Sequence, residues 1–213
     1  GQACDMDGVL RIAREHNLRI IEDSCEAMFV RYKDRPVGSW GDVACFSTYV
    51  AHLIVTGVGG LALTNDPDLA ITIRSLVNHG RDGIYLSPDA DAVDDPRKLW
   101  DIVDRRFAFI HLGHSFRATE MEAALGLAQL RRKDEIIGAH QRNAAHLTHG
   151  LQRFADHVQL PAIRPHTEHA FMMYPILIRN PAIARDTLVR YLEERRIPLD
   201  RIAGGGKQLL ERE

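Results

Sequence analysis

The sequence contains no long hydrophobic run. None of its apolar stretches approaches the roughly 20 residues that are needed to cross a bilayer. Its first ten residues, GQACDMDGVL, contain neither the basic segment nor the apolar segment of a secretory leader. We therefore expect a cytoplasmic protein that does not interact with a membrane.

Cysteine is scarce, with only Cys4, Cys25 and Cys45 among 213 residues, and no two of them have C-x-x-C spacing. This odd number argues against a disulfide framework and against a thiolate zinc site. Histidine is more frequent, and three pairs are spaced three residues apart: His111/His114, His146/His149 and His166/His169. None of these pairs has an acidic or cysteine partner in a known ligand pattern, so no metal site is predicted.

The chain also lacks a large excess of positive or negative residues. The chain has 27 Lys and Arg against 29 Asp and Glu, and no basic run is interleaved with aromatic residues. The electrostatic footprint of nucleic-acid binding is therefore absent, and we expect no nucleic-acid partner. The apolar fraction of 45% is sufficient for a real core, within one or two domains.

Helical and strand patterns alternate in the first 80 residues. We predict a helix from Asp5, as N-cap, to about Asn17. The run LRIIED at 18–23 is typical of a buried parallel strand that ends in two acids, at the sheet edge where chemistry is usually located. Further predicted elements are a hairpin-like turn at 31–41, strands at 42–50 and 60–65, and a helix at 66–79 with Asp66 as cap and Pro67 at its first position.

The pattern changes after residue 80. Residues 81–106 are polar and contain prolines and many acids, which indicates a long loop or insertion. Two helices are predicted at 119–136 and 136–154, followed by a strand at 171–178 and a helix at 184–197. Because the chain begins at a helix cap and stops within an unfinished element, we expect it to be a fragment.

Five segments occur in the order in which sugar aminotransferases of the DegT/DnrJ/EryC1/StrS family have them: GQACDMDGVLRIAREHNLRIIEDSCEA, YKDRPVGSWGDVACFSTYVAH, GVGGLALTNDPDLA, RSLVNHGRD and LGHSFRATEMEAALGLAQL. The sequence thus resembles that family of fold-type I pyridoxal-phosphate enzymes, strongly over residues 1–150 and weakly beyond.

The resemblance implies an α/β fold. Residues 1–133 would form a partial large cofactor-binding domain, a mostly parallel sheet with flanking helices that lacks its N-terminal part. Residues 134–213 would form a connecting helix and an incomplete small α+β C-terminal domain. The resemblance also implies pyridoxal or pyridoxamine 5'-phosphate as cofactor and a homodimer.

Three residues match cofactor-binding positions of the family. Asp23 matches the carboxylate that faces the pyridine nitrogen, and a buried carboxylate is costly unless such a cation balances it. Glu26 falls where the family often has Gln or His near the ring hydroxyl. Ser47 matches the serine that hydrogen-bonds the cofactor phosphate. Without the resemblance, Asp23 could be a cap or turn acid and Ser47 a tolerated strand residue.

His52, at the end of FSTYVAH, stands where ordinary family members have the lysine that forms the internal aldimine. A histidine cannot form that stable bond, so a standard aminotransferase is excluded. No substitute lysine is evident, because the four lysines lie in other segments: Lys33, Lys98, Lys133 and Lys207.

An imidazole can still move protons near neutral pH. The piece VAH resembles the histidine-carrying branch of the family, 3-dehydratases of nucleotide-linked 4-keto-6-deoxyhexoses. In that branch the histidine removes a proton from the methylene carbon of pyridoxamine phosphate, and the C3 hydroxyl leaves. We expect His52 to be this base, acting on a nucleotide-linked keto sugar.

Two alternatives stay open: an atypical sugar aminotransferase without an internal aldimine, and a catalytically degenerate, non-enzymatic family member. Three departures favour the latter: Val58 replaces a common acid, Ser115 replaces an asparagine that reaches the neighbouring subunit's cofactor phosphate, and 81–106 would alter the substrate entrance. Arg117 remains a candidate structural or substrate-contact residue. We expect the full-length protein to be an enzyme and the isolated 213-residue chain to be inactive.

Overall fold

The computed structural model describes residues 1–82, 95–105 and 107–197. The helices in these ranges are α1 (Met6–Glu15), α2 (Pro67–Val77), α3 (Pro96–Arg105), α4 (Glu120–Leu130), α5 (Lys133–Leu151) and α6 (Arg185–Glu193). The strands are β1 (Ile21–Asp23), β2 (Arg31–Tyr32), β3 (Arg35–Pro36), β4 (Val43–Ser47), β5 (Gly60–Leu63), β6 (Val158–Gln159) and β7 (Leu177–Ile178).

Helices α1 and α2 begin at the predicted caps. The Asp5 carboxylate accepts a hydrogen bond from the Gly8 N–H at 3.3 Å. Asp66 accepts from the N–H groups of two residues in the first turn of α2, at 2.9 and 3.1 Å. These bonds pair N–H groups that have no partner within the helix, so both predicted starts are confirmed.

Strands β2 and β3 form the predicted hairpin. Its two turn residues, Lys33 and Asp34, have φ angles of 46° and 62°, the left-handed conformation that a two-residue hairpin turn favours. The hydroxyl of Tyr32 lies 2.9 Å from a carboxylate oxygen of Asp5 and 3.0 Å from one of Asp7, and the two acids share its single hydrogen. These bonds tie the hairpin to the start of α1.

The main sheet has the order β1-β4-β5. β1 pairs with β4 in parallel, as predicted, and β5 pairs with β4 antiparallel, so the described sheet is mixed. Because side chains alternate between the two faces of a strand, Glu22, Ala44 and Phe46 share one face, which we call the core face. Asp23, Cys45 and Ser47 share the other, the open face.

The hydrophobic core covers the core face. It consists of Ala3, Met6, Ala27, Met28, Val30, Tyr32, Val37, Ala44, Phe46, Leu53, Ile54 and Ala170. Packing is close enough that a Cβ atom on Gly38 would lie 2.4 Å from the Phe46 ring, and Gly38 has a φ of 81°. Only glycine fits this position.

Two predictions for the first half of the chain are wrong in part. β1 was expected to be buried, but Ile21 is 71% exposed, because the described core covers only one face of the strand. Residues 96–105 were expected in a loop but form α3. Asp95 accepts from the N–H of Arg97 at 3.0 Å, and Pro96 occupies the first helical position. Residues 83–94 and 106 of that segment lie outside the described residues.

The second half differs from the expectation in its boundaries. The break between α4 and α5 lies at residues 131–132 rather than at 136. The strand predicted at 171–178 is reduced to β7, because Phe171 has a φ of 50° and Pro175 has no N–H for a strand ladder. The last predicted helix is confirmed as α6, and Lys207 lies outside the described residues.

The chain divides into two compact units. The first comprises Gly1–His146 and Ala162–Tyr174 and contains the main sheet. The second comprises, among the described residues, Leu147–Pro161 and 175–197, and in it β6 and β7 pair antiparallel. The division at residues 133 and 134 stays a prediction. None of the helices in the described ranges has the length and apolar character of a membrane span.

Candidate active site

Asp23 and Ser47 end the two parallel strands β1 and β4 on the same side of the sheet. Asp23 is paired with Cys45, and Ser47 lies two residues further along β4, so all three side chains project from the open face. Asp23 is exposed and Ser47 is partly buried. The structure thus brings Asp23 and Ser47, two of the predicted cofactor-binding residues, to the open face at the carboxyl ends of β1 and β4.

The Asp23 carboxylate is held by Cys25. The hydrogen bond from the Cys25 thiol, followed by that from its backbone N–H at 3.3 Å, lowers the pKa of Asp23 below its ordinary value. Burial, with a smaller contribution from Asp23, raises the pKa of the Cys25 thiol to about 11. Near neutral pH the pair is therefore a carboxylate beside a neutral thiol.

His52 lies against Ser47. The His52 Nδ1 is 3.3 Å from the Ser47 Oγ, and the backbone N–H of Tyr49 donates to the same oxygen at 3.2 Å. The Tyr49 ring stands edge-on to the imidazole, with 6.3 Å between the ring centroids. The imidazole of the predicted base is therefore in contact with the open face.

Residues 48–59, which we call the corner segment, are held by hydrogen bonds near both ends. The Thr56 hydroxyl contacts the Thr48 hydroxyl at 2.7 Å, and the Thr56 N–H donates to the Thr48 carbonyl at 2.8 Å. The Thr48 N–H in turn donates to the Gly59 carbonyl at 3.1 Å. Both threonines are buried, so these bonds form a closed loop that water does not weaken.

Apolar packing fixes the middle of the corner segment. Leu53 and Ile54, which follow His52 directly, are 4% and 3% exposed and belong to the hydrophobic core. Helix α4 passes close by, since a Cβ atom on Gly126 would lie 3.2 Å from a Thr56 methyl group. The backbone that carries His52 is therefore held by neighbours on both sides.

Glu26 does not join this group. Its side chain is exposed, and its Oε2 lies 3.9 Å from the backbone nitrogen of Gly1. Within the described part of the chain, no hydrogen bond or ion pair links Glu26 to Asp23, Ser47 or His52. Its predicted role at the cofactor ring stays a prediction.

Glu22 is a residue whose role the sequence argument missed. We treated both acids at the end of β1 as placed for chemistry, but Glu22 lies on the core face, where it is 8% exposed. Its carboxylate accepts hydrogen bonds of 2.6 Å from the N–H groups of Gly38, Trp40 and Gly41. Glu22 therefore organises the turn before β4. Strand alternation was the signal that could have separated the two acids.

Two further segments of the resemblance, RSLVNHGRD and LGHSFR, lie side by side. Asn78 and Ser115 form an isolated β-bridge, and the N–H of His79 donates to the His114 carbonyl at 2.8 Å. Arg117 donates to the side-chain oxygen of Asn78 at 2.9 Å. This bond is a structural contact, and the choice between a structural and a substrate-contact role for Arg117 stays a prediction.

The donor set on the open face fits a pyridoxamine-type cofactor. The ionised Asp23 suits a protonated ring nitrogen, the Ser47 hydroxyl suits a phosphate oxygen, and the imidazole of His52 can accept a proton. Metal ligation has no comparable support, because within residues 1–82, 95–105 and 107–197 no three His, Cys, Asp or Glu side chains form a metal-binding group.

Comparison with known proteins extends this picture. The model of the DegT/DnrJ/EryC1/StrS aminotransferase family matches residues 1–202. GDP-perosamine synthase of Caulobacter vibrioides is 36% identical over 194 residues, which are 91% of this chain and 47% of that protein. A dTDP-4-dehydro-2,6-dideoxy-D-glucose 3-dehydratase of Saccharopolyspora spinosa is 34% identical over 208 residues, 93% of this chain and 44% of the relative.

A solved aminotransferase from Psychrobacter cryohalolentis has the same fold. It superimposes with a TM-score of 0.76 at 25% identity, over 92% of this chain and 50% of that structure. The chain thus spans about half the length of the relatives that it matches. The expectation of an α/β fold of the fold-type I class is confirmed.

Proposed function

The chain belongs to the DegT/DnrJ/EryC1/StrS aminotransferase family, and on that basis we propose that the full-length protein is a 3-dehydratase of a nucleotide-linked keto sugar that uses pyridoxal or pyridoxamine phosphate. The observation that carries the proposal is the position of His52. An imidazole, not an amine, contacts Ser47 at the edge of the open face. One of the similar relatives is named as a 3-dehydratase of such a sugar.

In this proposal the open face holds the cofactor. Asp23 would pair with the ring nitrogen and Ser47 would hydrogen-bond the phosphate. Bound pyridoxamine phosphate supplies an amine that condenses with a ketone and a ring that stores electrons. Since the carboxylate of Asp23 is ionised near neutral pH, it can keep a ring nitrogen protonated.

His52 would move the protons. Its imidazole can accept a proton from the cofactor's methylene carbon and, once charged, can deliver a proton to the leaving C3 hydroxyl. The corner segment supports this role, because Leu53 and Ile54 anchor the backbone while the imidazole stays only partly buried. A base held in this way loses little freedom when it reacts.

The test is the His52→Asn variant of the full-length protein. With excess pyridoxamine phosphate, which donates two electrons and leaves as pyridoxal phosphate and ammonia, and a nucleotide-linked 4-keto-6-deoxyhexose, the wild type should release a product lighter by the C3 oxygen. His52→Asn should lose about 10²- to 10⁴-fold in turnover, the usual contribution of a general base. It should retain the absorbance of bound cofactor. Unchanged turnover of the variant would exclude His52 as the base.

An atypical aminotransferase is the second candidate, favoured by the 36% identity to a GDP-perosamine synthase. Mass spectrometry separates the two reactions, because transamination adds an amino group and dehydration does not. Borohydride should trap no cofactor on the wild type in either case, whereas a His52→Lys variant should become trappable. A protein that binds no cofactor would be the degenerate, non-enzymatic member.

We also propose a cytoplasmic homodimer. The thiols of Cys4, Cys25 and Cys45 are free, which suits a reducing compartment. Several large apolar side chains near the start of α4 are exposed, and a second copy of the chain would cover them: Phe107, Leu112, Phe116 and Met121. Light scattering should show a dimer, and replacing Leu112, which is 99% exposed, by Lys should weaken it.

A further inference from the structure

Ser47 contacts both the backbone and the imidazole beside it. We propose that Ser47 is a positioning residue that sets the tautomer of His52, so that an anion bound at Ser47 leaves the Nε2 of His52 free to accept a proton. This inference rests on the proposed function, in which the cofactor phosphate is the anion at Ser47.

The Ser47 hydroxyl has a limited capacity for hydrogen bonds. A serine Oγ has one hydrogen to donate and two lone pairs to accept with. The Tyr49 N–H can only donate, so its 3.2 Å contact occupies one lone pair. Toward the Nδ1 of His52, at 3.3 Å, the hydroxyl can then either donate its hydrogen or accept on its second lone pair.

An anion bound at Ser47 changes the direction of the hydrogen bond to His52. With no other acceptor present, the hydroxyl can donate to Nδ1, and the single proton of a neutral imidazole then lies on Nε2. A phosphate dianion has only acceptor oxygens, and a bond to it is charge-assisted, so it takes the Ser47 hydrogen. Only a lone pair then remains toward His52. Nδ1 must carry the proton, and Nε2 is left as the base.

The backbone holds Ser47 and His52 next to each other. The N–H of His52 donates to the Tyr49 carbonyl at 2.9 Å, which closes a turn between the two residues that contact Ser47. Leu53, next to His52, is buried in the core. The imidazole therefore stays beside Ser47 while the hydrogens of the hydroxyl and the ring change position. The proposed change of tautomer requires this.

The tautomer can be measured without substrate. In full-length protein labelled with ¹⁵N-histidine, the Nδ1 and Nε2 chemical shifts distinguish the two neutral forms. His52→Asn identifies the resonances of His52 among the eleven histidines. On saturation with pyridoxamine phosphate, followed by absorbance, the His52 signals should shift to those of the Nδ1–H form. Pyridoxamine, which lacks the phosphate, should not cause this shift.

Variants of Ser47 complete the experiment. Ser47→Ala should lose the shift, and Ser47→Thr, which keeps the hydroxyl, should retain it. Ser39→Ala, which removes a partly buried serine hydroxyl whose described hydrogen bonds go to Arg35 and Pro36, is the matched control. An identical shift in Ser47→Ala and the wild type would overturn the inference. So would an unchanged tautomer in wild-type protein saturated with pyridoxamine phosphate.

The readout separates the failure of this inference from that of the proposed function. A normal shift in a protein that turns over no keto sugar would overturn the proposed dehydration and leave the tautomer mechanism standing. An unchanged tautomer in a protein with full dehydratase turnover would overturn the tautomer mechanism alone.

Discussion

Glu22 and Asp23 are neighbours in β1 with the same charge, but the two faces of the sheet give them different surroundings. On the core face, Glu22 is buried and accepts three backbone N–H groups. On the open face, Asp23 is exposed, and only Cys25 donates to it among the described contacts. The face on which a side chain lies, more than its chemical type, therefore separates a structural carboxylate from one that is available to a ligand.

Strand β4 repeats the contrast. Phe46 belongs to the hydrophobic core, whereas Ser47, the next residue, contacts His52 on the open face. One face of the sheet thus supplies stability and the other supplies the candidate chemistry. The four predictions below test that separation, beginning with the largest expected effect.

Glu22→Ala should destabilise the fold strongly. It leaves the N–H groups of Gly38, Trp40 and Gly41 without their charged acceptor, which should lower the free energy of unfolding by about 3 kcal/mol or more. Urea denaturation measures the change. Asp23→Ala, the same kind of substitution on the open face, is the matched control and should change stability far less. Equal losses would abolish the distinction between the faces.

Asp23→Asn should leave the fold intact and impair the reaction. Without the carboxylate, a ring nitrogen loses its ionic partner, and turnover should fall by about 10²-fold, as when one preorganised electrostatic partner is removed. Steady-state kinetics and a melting curve, measured together, check both statements. Asp34→Asn, which neutralises an exposed carboxylate in the turn between β2 and β3, is the control and should turn over normally. An equal loss in that variant would show that the effect of Asp23→Asn is not specific to the open face.

Thr56→Val should loosen the corner segment. It removes a buried hydroxyl that contacts the Thr48 hydroxyl and the Val58 carbonyl, with an expected loss of about 1–2 kcal/mol in stability. Amide exchange should accelerate at residues 48–59 and not in α2. Thr72→Val, which removes a hydroxyl whose described hydrogen bond goes to the Asp68 carbonyl of its own helix, should leave exchange in the corner segment unchanged.

Cys25 gives the smallest effect and a pH dependence. Burial raises the pKa of this thiol from 9.0 to about 11, so between these values the folded chain holds a proton that the unfolded chain has released. Stability should therefore decline as pH rises from about 9 to 11, and Cys25→Ser should flatten the decline. At pH 8, iodoacetamide should modify the exposed Cys4 faster than Cys25. Equal rates would contradict the assignment.

Local signals explain which parts of the fold could be predicted. Asp5 and the pair Asp66 and Pro67 start their helices through bonds to the next few residues, so the sequence alone contains the cause. Helix α3 has the same signal at Asp95 and Pro96, but the acidic, proline-containing composition around it led to the prediction of a loop. When a segment is assigned as helix or loop, a helix-start signal such as Asp95 and Pro96 should therefore outweigh the average composition of the segment.

The candidate site shows where such reasoning stops. The family resemblance supplied Asp23, Ser47 and His52 one by one. Their common face follows from the register of β1 and β4, which no local pattern specifies. The contact between Ser47 and His52 depends in turn on how the corner segment bends. Which face the core covers is a tertiary property, and this is why Glu22 was misjudged.

The hydrogen bonds between Thr48 and Thr56 have a consequence for substitutions at the position that they enclose. Position 52, at which we propose the reactive group, lies between these two residues, yet none of the hydrogen bonds that join Thr48 to Thr56 uses the side chain of residue 52. The hydrogen bonds that hold the backbone of the corner segment are thus independent of the side chain at position 52. A substitution at this single position would therefore replace the reactive group and leave the surrounding backbone unchanged.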